Sequence, residues 1–304
     1  MLSQRPRRSR RVQLAVPGSS EKMMSKAAGS KADHVFLDLE DAVAPKEKVA
    51  SRQKIIHALQ TLDWTGKTRC VRINDLTTQW AYEDIISVVE GAHEHIDTIM
   101  LPKARSASDV LFVDTLLSQI EKKLKLERRI GIEVLIEEVE GMLKVEEIAF
   151  STPRLEALIF GMGDYSASQG IDPRVIAGKS GYPGDPWHYG RWKIAVAARA
   201  AKIDAIDGPF PDFRDSETYS EECRRGLLLG FVGKWAIHPA QIDPALSVFT
   251  PDPAAVAKAR RMVEVYAQAE KDGLGAIAMD GEMVDAATVR MVQDILQRAE
   301  SAGL

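Results

Sequence analysis

Cysteine is nearly missing: Cys70 and Cys223 are the only two in 304 residues, and they lie far apart. That excludes a disulfide framework and a cysteine-built zinc site, and it points to a reducing, cytoplasmic setting. No apolar run approaches the length of a membrane span, so no membrane partner is expected. An excess of one charge is also lacking. With Lys+Arg 40 against Asp+Glu 44, the formal net charge is −4, and nothing marks a nucleic-acid binder. There are no solenoid-length repeats and no low-complexity tract. The arginine-rich start, Met1–Arg11, lacks the apolar centre of a secretory signal. It reads as a flexible basic tail over residues 1–11.

What the chain does have is alternation. Short apolar runs predict strands at Val12–Val16, His34–Leu39, Thr68–Ile73, Thr98–Leu101, Ile130–Ile136, Ala157–Phe160, Asp204–Asp207 and Gly233–Ala236. Amphipathic patterns between them predict helices at Glu21–Ala28, Lys46–Leu62, Trp80–Glu90, Ala107–Lys125, Val139–Phe150 and Glu217–Leu229. Such β-then-α units make an α/β protein, and eight of them match a TIM (β/α)8 barrel, here over residues 12–240. An open doubly wound sheet stays as the alternative, because periodicity does not show closure. Residues 164–190, rich in Gly, Pro and aromatics, read as a long active-site insertion. Residues 241–304 read as a small C-terminal helical lid or arm: a helix at Pro253–Asp272, a glycine-flanked hairpin, and a last helix to about Arg298. Lying beyond the eight units, the arm would close the site or pack on a neighbouring subunit.

In a parallel barrel, chemistry gathers at the carboxyl ends of the strands. Glu137 and Asp164 follow the fifth and sixth strands. Two carboxylates there suit a hard divalent cation such as magnesium, with open positions for water and substrate oxygens. Helix capping is the plainer reading of each alone. In G-M-G-D, the small residues also let backbone amides approach a ligand carboxylate. Asp38, Glu40 and Asp41 end the second strand and read either as cap and solvated charge or as polar neighbours orienting the metal's waters. Arg72 ends the third strand, fit for a carboxylate or an enolate oxygen, or for an ion pair with Glu40 or Asp41. Lys103, in L-P-K, reads as a Schiff-base lysine or, beside the acid pair, as an electrostatic partner. Asp207 reads as a supporting acid. His238 in A-I-H-P reads equally as a buried turn histidine or a functional one, and Asp285 in G-E-M-V-D as a helix cap.

Taken in order, P-G-S, L-D-L-E-D-A-V, V-R-I-N, L-P-K, the I-E…G-x-G-D pair, A-I-D-G-P-F-x-D-F, G-K-W-A-I-H-P-x-Q-I and G-x-M-V-D resemble the citrate lyase β-subunit-like (HpcH/HpaI aldolase) family over nearly the whole chain. Asp185-Pro186-Trp187-His188-Tyr189 and the A-I-D-G-P-F-x-D-F run are similar to its malyl-CoA/β-methylmalyl-CoA lyase branch. The resemblance implies a TIM barrel with a C-terminal lid, assembled as a homotrimer or hexamer. It implies a magnesium-dependent carbon–carbon lyase, manganese serving in its place, acting on acyl-CoA and 2-oxoacid substrates. By resemblance, Glu137 and Asp164 bind the metal, and Gly163 and Asp164 hold the 2-oxoacid carboxylate through their amides. Arg72 contacts the thioester and the enolate oxygen, and Asp285 is the acid/base reaching in from the neighbouring subunit. Lys26, Arg72, Ile237 and His238 match CoA contacts. Ala15 and Ser20 depart from the pattern, standing where relatives carry an aromatic residue and an arginine for the CoA nucleotide. The activity implied is cleavage and formation of L-malyl-CoA or β-methylmalyl-CoA. Malyl-CoA thioesterase, citramalyl-CoA or citryl-CoA lyase, and a CoA-binding accessory protein without turnover are the alternatives.

Overall fold

The computed structural model describes residues 5–175 and 184–304. Eight parallel strands, hydrogen-bonded in chain order, form a closed barrel. They are β1 (Val12–Pro17), β2 (His34–Asp38), β3 (Thr68–Arg72), β4 (Thr98–Leu101), β5 (Gly131–Ile136), β6 (Leu155–Phe160), β7 (Asp204–Asp207) and β8 (Gly233–Ala236). β1 pairs with β8, Val12 beside Lys234 and Leu14 beside Ala236, which closes the ring and excludes the open sheet. Around it run α1 (Glu21–Ala28), α2 (Lys48–Thr61), α3 (Ala81–Ala92), α4 (Ala107–Leu124), α5 (Val139–Leu143), α6 (Val145–Ala149), α7 (Met162–Gln169), α8 (His188–Ala201), α9 (Ser216–Leu229) and α10 (Ile242–Phe249). No helix of the described residues is long and apolar enough to cross a membrane.

The strands are near-continuously apolar because both faces are covered. Val35, Leu37, Val71, Ile99, Val134 and Leu158 point outward beneath the helices. Phe36, Cys70, Met100, Leu135, Ile159, Ile206 and Trp235 point inward and fill the barrel. The two-residue period then sets the polar layers. Counting from Phe36 and Leu135, the inward positions are His34 and Glu133 at the base, and Asp38 and Glu137 at the mouth.

Three sequence expectations are corrected. From Arg5 onward, the basic stretch is no solvated tail but a strap across the base of the barrel. Arg10 is 3% exposed and reaches Glu133 at 3.0 Å and Asp204 at 2.9 Å as well as Glu156. Arg8 binds Glu156 and Asp97, and Arg11 binds Asp33. Those acids lie at the base and need cations, which the arginines supply. Second, the barrel does not stop at residue 240: α10 packs on α9, β8 and β1 as the eighth barrel helix. Third, the 164–190 segment is not one loop. α7 occupies its start and α8 begins at His188; residues 176–183 of that segment lie outside the described residues.

The arm proper is α11 (Pro253–Lys271), the hairpin β9 (Ala276–Met279) and β10 (Glu282–Asp285), and α12 (Ala286–Ser301). Asp280 and Gly281 both have positive φ, 52° and 82°, as a two-residue turn between twisted strands requires. Met262, Tyr266, Met279, Val284 and Val289 give the arm its own small core.

Candidate active site

The mouth is built from the strand ends. Asp38 and Arg72 are register partners on β2 and β3. Arg72 donates from Nε to Asp38 Oδ1 and from Nη2 to Asp38 Oδ2, each at 2.7 Å. Its guanidinium rests on an aromatic floor, 5.7 Å from the Phe36 ring centre and 5.4 Å from that of Trp235. Burial raises the Asp38 pKa, but the Arg72 charge and the Glu40 and Ala42 amides outweigh it and hold the acid below its ordinary range. Asp38 therefore clamps Arg72. It does not stand free to orient a metal's waters, as the sequence suggested.

Glu40 is buried. Its Oε1 takes the Lys103 ammonium. Its Oε2 lies 2.9 Å from Arg72 Nη1, yet off the line of a hydrogen bond, which leaves that oxygen buried without a hydrogen-bond partner. Asp41 is exposed, with Oδ2 3.2 Å from Lys103 Nζ. The loop carrying both acids is fixed from behind by buried Lys48, which donates to the Leu39 and Glu40 carbonyls. Nothing in the sequence singled Lys48 out.

Glu137, one inward step beyond Leu135, is 2% exposed. Its Oε1 accepts the Lys103 backbone N–H at 2.9 Å. Burial pushes its carboxyl up to about 8, with Arg72 opposing and Glu40 and Asp164 adding to the rise. Gly161 makes the room: a Cβ there would sit 2.6 Å from the Glu137 Cβ and closer still to Oε2. Asp164, in the first turn of α7, is half-exposed with Oδ1 3.7 Å from Lys103 Nζ. Glu137 and Asp164 thus converge on one lysine. The α7 N-cap, Gly161, offers no side chain to the first-turn amides, so the Gly163 and Asp164 N–H groups are left for an anion.

Burial opposes the charge on Lys103, but Glu40, Glu137 and Asp164 together raise its pKa. A lysine kept protonated is no Schiff-base nucleophile. Three carboxylates, Glu40, Asp41 and Asp164, meet this ammonium, and a fourth, Glu137, binds the same residue's backbone N–H. One of them is costly to ionise and another keeps an orphaned oxygen, so the set fits a hard divalent cation with oxygen ligands. Among the described residues, the group of three whose ligand atoms all lie within 4.8 Å of one another is not this set but His34, Cys70 and Glu133 at the barrel base. It does not fit magnesium: one donor is a buried thiol, and Glu133 already binds Arg10 and Gln13.

Behind α7, buried Arg191 pairs with Asp207 at 2.9 Å and Asp185 at 2.7 Å, and Lys234 also holds Asp207. Trp187 then donates its indole N–H to Ser166 on α7 at 2.9 Å. This network seats the 185–189 segment against the helix that carries Asp164. His238 is exposed rather than buried: its Nδ1 accepts the Ala240 N–H, and its ring stacks on Phe213 at 4.4 Å. Ile237 beside it is exposed, as is Lys26 on α1. β1, which leads into α1, adjoins β8, which leads into Ile237 and His238. Asp285 is not brought to the mouth. Its Oδ1 caps α12, accepting from the Thr288 N–H at 2.9 Å and hydroxyl at 3.0 Å, which lowers its pKa.

The HpcH/HpaI aldolase/citrate lyase family matches residues 11–239. The chain is 42% identical to the L-malyl-CoA/beta-methylmalyl-CoA lyase of Rhodobacter capsulatus, over 98% of this chain and 96% of that one. It is 33% identical to a (3S)-malyl-CoA thioesterase of Cereibacter sphaeroides strain KD131, over 95% and 94%. Among solved structures, it matches the CitE protein of Mycobacterium tuberculosis in complex with magnesium, acetoacetate and coenzyme A. There the TM-score is 0.74 at 29% identity, covering 99% of this chain and 100% of that one.

Proposed function

As this chain belongs to the HpcH/HpaI aldolase/citrate lyase family, we propose that it is a magnesium-dependent carbon–carbon lyase of CoA thioesters. Its reaction is the cleavage and formation of L-malyl-CoA and β-methylmalyl-CoA, with glyoxylate and acetyl-CoA or propionyl-CoA on the other side. The observation that carries this reading is the convergence of Glu137 and Asp164 on Lys103, beside the clamped Arg72.

Glu137 and Asp164 would hold the ion. When bound, magnesium supplies Lewis acidity that lowers the pKa of the substrate's hydroxyl. The Gly163 and Asp164 amides at the start of α7 take the carboxylate of the 2-oxoacid half. Arg72, oriented by Asp38, keeps guanidinium N–H groups for the thioester oxygen as it becomes an enolate. Aligned before the reaction, they need no reorganisation when charge moves there. In condensation Asp285 removes the α-proton, and its helix-cap hydrogen bonds, which lower its pKa, favour the base form. In cleavage the same carboxyl gives a proton to the enolate carbon and is re-protonated by the one that the substrate hydroxyl releases. Lys26, Ile237 and His238 would contact CoA, and Ala15 and Ser20 offer neither an aromatic ring nor a guanidinium for its nucleotide.

In this reading Asp285 comes from another copy, as the exposure of the arm supports. Among the described residues, the hydrogen bonds between α12 and the rest of this subunit's N-terminal part are Arg199–Asp294 and Arg7–Glu300, both exposed. Met283 and Met291 on the arm are 69% and 66% exposed, which suits a surface met by a second copy in a trimer or hexamer. The two cysteines, both free and buried, agree with a cytoplasmic setting. A coupled assay of purified protein with malyl-CoA and β-methylmalyl-CoA, with and without magnesium, tests the proposal. Glyoxylate released with the acyl-CoA supports it; free CoA and malate would identify a thioesterase instead. Pyruvate from citramalyl-CoA, with no turnover of malyl-CoA, would move the substrate assignment.

A further inference from the structure

Lys103 meets the acids of the mouth twice over. It follows β4 with a left-handed backbone, φ 49°, a conformation uncommon for a residue carrying a side chain. That turn sends its N–H to Glu137 Oε1 at 2.9 Å. The same turn brings its ammonium back over the mouth, in contact with Glu40 Oε1, 3.2 Å from Asp41 Oδ2 and 3.7 Å from Asp164 Oδ1. Arg72, the other cation here, is gripped by Asp38 through both oxygens and lies 2.9 Å from Glu40 Oε2, with no ion pair to Asp164 among the described residues. Lys103 is therefore the charge that faces Asp164, while its own amide fixes Glu137.

We propose that Lys103 is a place-holding counter-ion: its ammonium balances the mouth acids before a divalent cation binds and weakens the binding of that cation when it arrives. The inference rests on the reading of Glu137 and Asp164 as the metal pair. Any ion held by Asp164 comes within several ångströms of the ammonium, because Asp164 Oδ1 is itself 3.7 Å from Lys103 Nζ. Like charges at that distance repel by more than thermal energy, even at a high effective dielectric. The ammonium then keeps only Glu40 and Asp41, the two acids not taken by the metal. The exchange holds the mouth acids together without metal, and it sets a weaker affinity than the acids alone would give. The ion would also leave more readily.

Binding of Mn2+ to the purified full-length protein, followed by the EPR signal of the free ion, tests this without reference to turnover. K103M removes the ammonium. K103G removes it too, but suits the left-handed backbone and keeps the N–H that fixes Glu137, so it decides the matter if K103M fails to fold. Both should bind Mn2+ about tenfold more tightly than the unmodified protein, while K103R, which keeps the charge, should stay within about twofold. General damage to the site would weaken binding, not tighten it. Unchanged or weaker binding in K103G, with the unmodified protein still binding Mn2+, would overturn the place-holder role alone. An unmodified protein that binds no Mn2+, or an E137A variant that binds it undiminished, would remove the metal-pair reading and this inference with it.

Discussion

Asp38 grips Arg72 in a two-point fork, Nε to Oδ1 and Nη2 to Oδ2, both at 2.7 Å and both residues buried at the mouth of the barrel. This fork fixes the plane of the guanidinium above Phe36 and Trp235. Replacing Asp38 by Asn keeps the shape but removes the charge and one acceptor. Leaving a buried arginine under-compensated should cost roughly 3 kcal/mol of stability, measurable as a lower urea midpoint. With its guanidinium no longer held, kcat should drop about a hundredfold. An Asp38→Asn enzyme with normal kcat would mean that Arg72 does not depend on the clamp.

Gly161 stands where a side chain would meet Glu137: a methyl group on its Cα would fall 2.6 Å from the Glu137 Cβ, with Oε2 nearer still. Backbone and a buried carboxylate cannot both give way, so Gly161→Ala should push Glu137 off its present line. The expected result is metal affinity weakened about tenfold or more, since ligand geometry is set by such supporting contacts. Titration with Mn2+ measures it. Gly163→Ala is the control: a Cβ at that position would meet nothing within 4 Å, and metal affinity should hold.

The barrel was legible in the sequence because its strands, buried on both faces, are apolar almost without a break, and because helical periods separate them. The acids and Arg72 were legible because charge at the end of such a strand is conspicuous. What Asp38 does was not, since alternation tells which way a side chain faces but not which neighbour it finds across the sheet. The role of the arginine strap was hidden for a related reason. Glu133, Glu156 and Asp204 come from three different strands, and only closure gathers them beneath Arg10. The helical start of 164–190 was masked by its glycines. Gly161 is there to admit Glu137, and Gly170 ends α7 with φ 73°.

The base of the barrel predicts an acid limit to stability. Burial raises the Glu133 pKa, but His34 and Arg10 outweigh it and hold the carboxyl well below its usual value; Asp38 is lowered in the same sense by Arg72. A carboxylate whose folded pKa is depressed stabilises the fold at pH above its unfolded value, about 4.3 for Glu and 3.9 for Asp. That contribution disappears as pH falls toward the folded pKa. Stability from these two groups should thus be flat from neutral pH down to about 5 and fall steadily below it. Arg10→Met should lose roughly 3–5 kcal/mol at neutral pH and show a shallower acid decline, because Glu133 then has less to lose. Urea midpoints at a series of pH values check both. A steeper acid decline in the variant would contradict the assignment.

Asp285 supplies the sharpest test of how the site is completed. In this chain its carboxylate is spent capping α12 through Thr288, far along the sequence from Glu137 and without a bond to any mouth acid among the described residues. If the acid/base comes from a neighbouring copy, a site needs one barrel with Glu137 and one arm with Asp285, on different chains. Asp285→Asn and Glu137→Ala should each be inactive alone as homo-oligomers. Unfolded together and refolded as a mixture, they should regain activity, because an Asp285→Asn barrel can meet a Glu137→Ala arm that still carries its aspartate. Random assembly of equal amounts restores about a quarter of the sites in a closed ring. A site completed within one subunit has no such partner to borrow from, and the mixture would then stay as inactive as its parts. Tagging the two variants differently and recovering one through the other's tag confirms that hetero-oligomers formed, so that silence in the assay counts against a shared site rather than against the mixing.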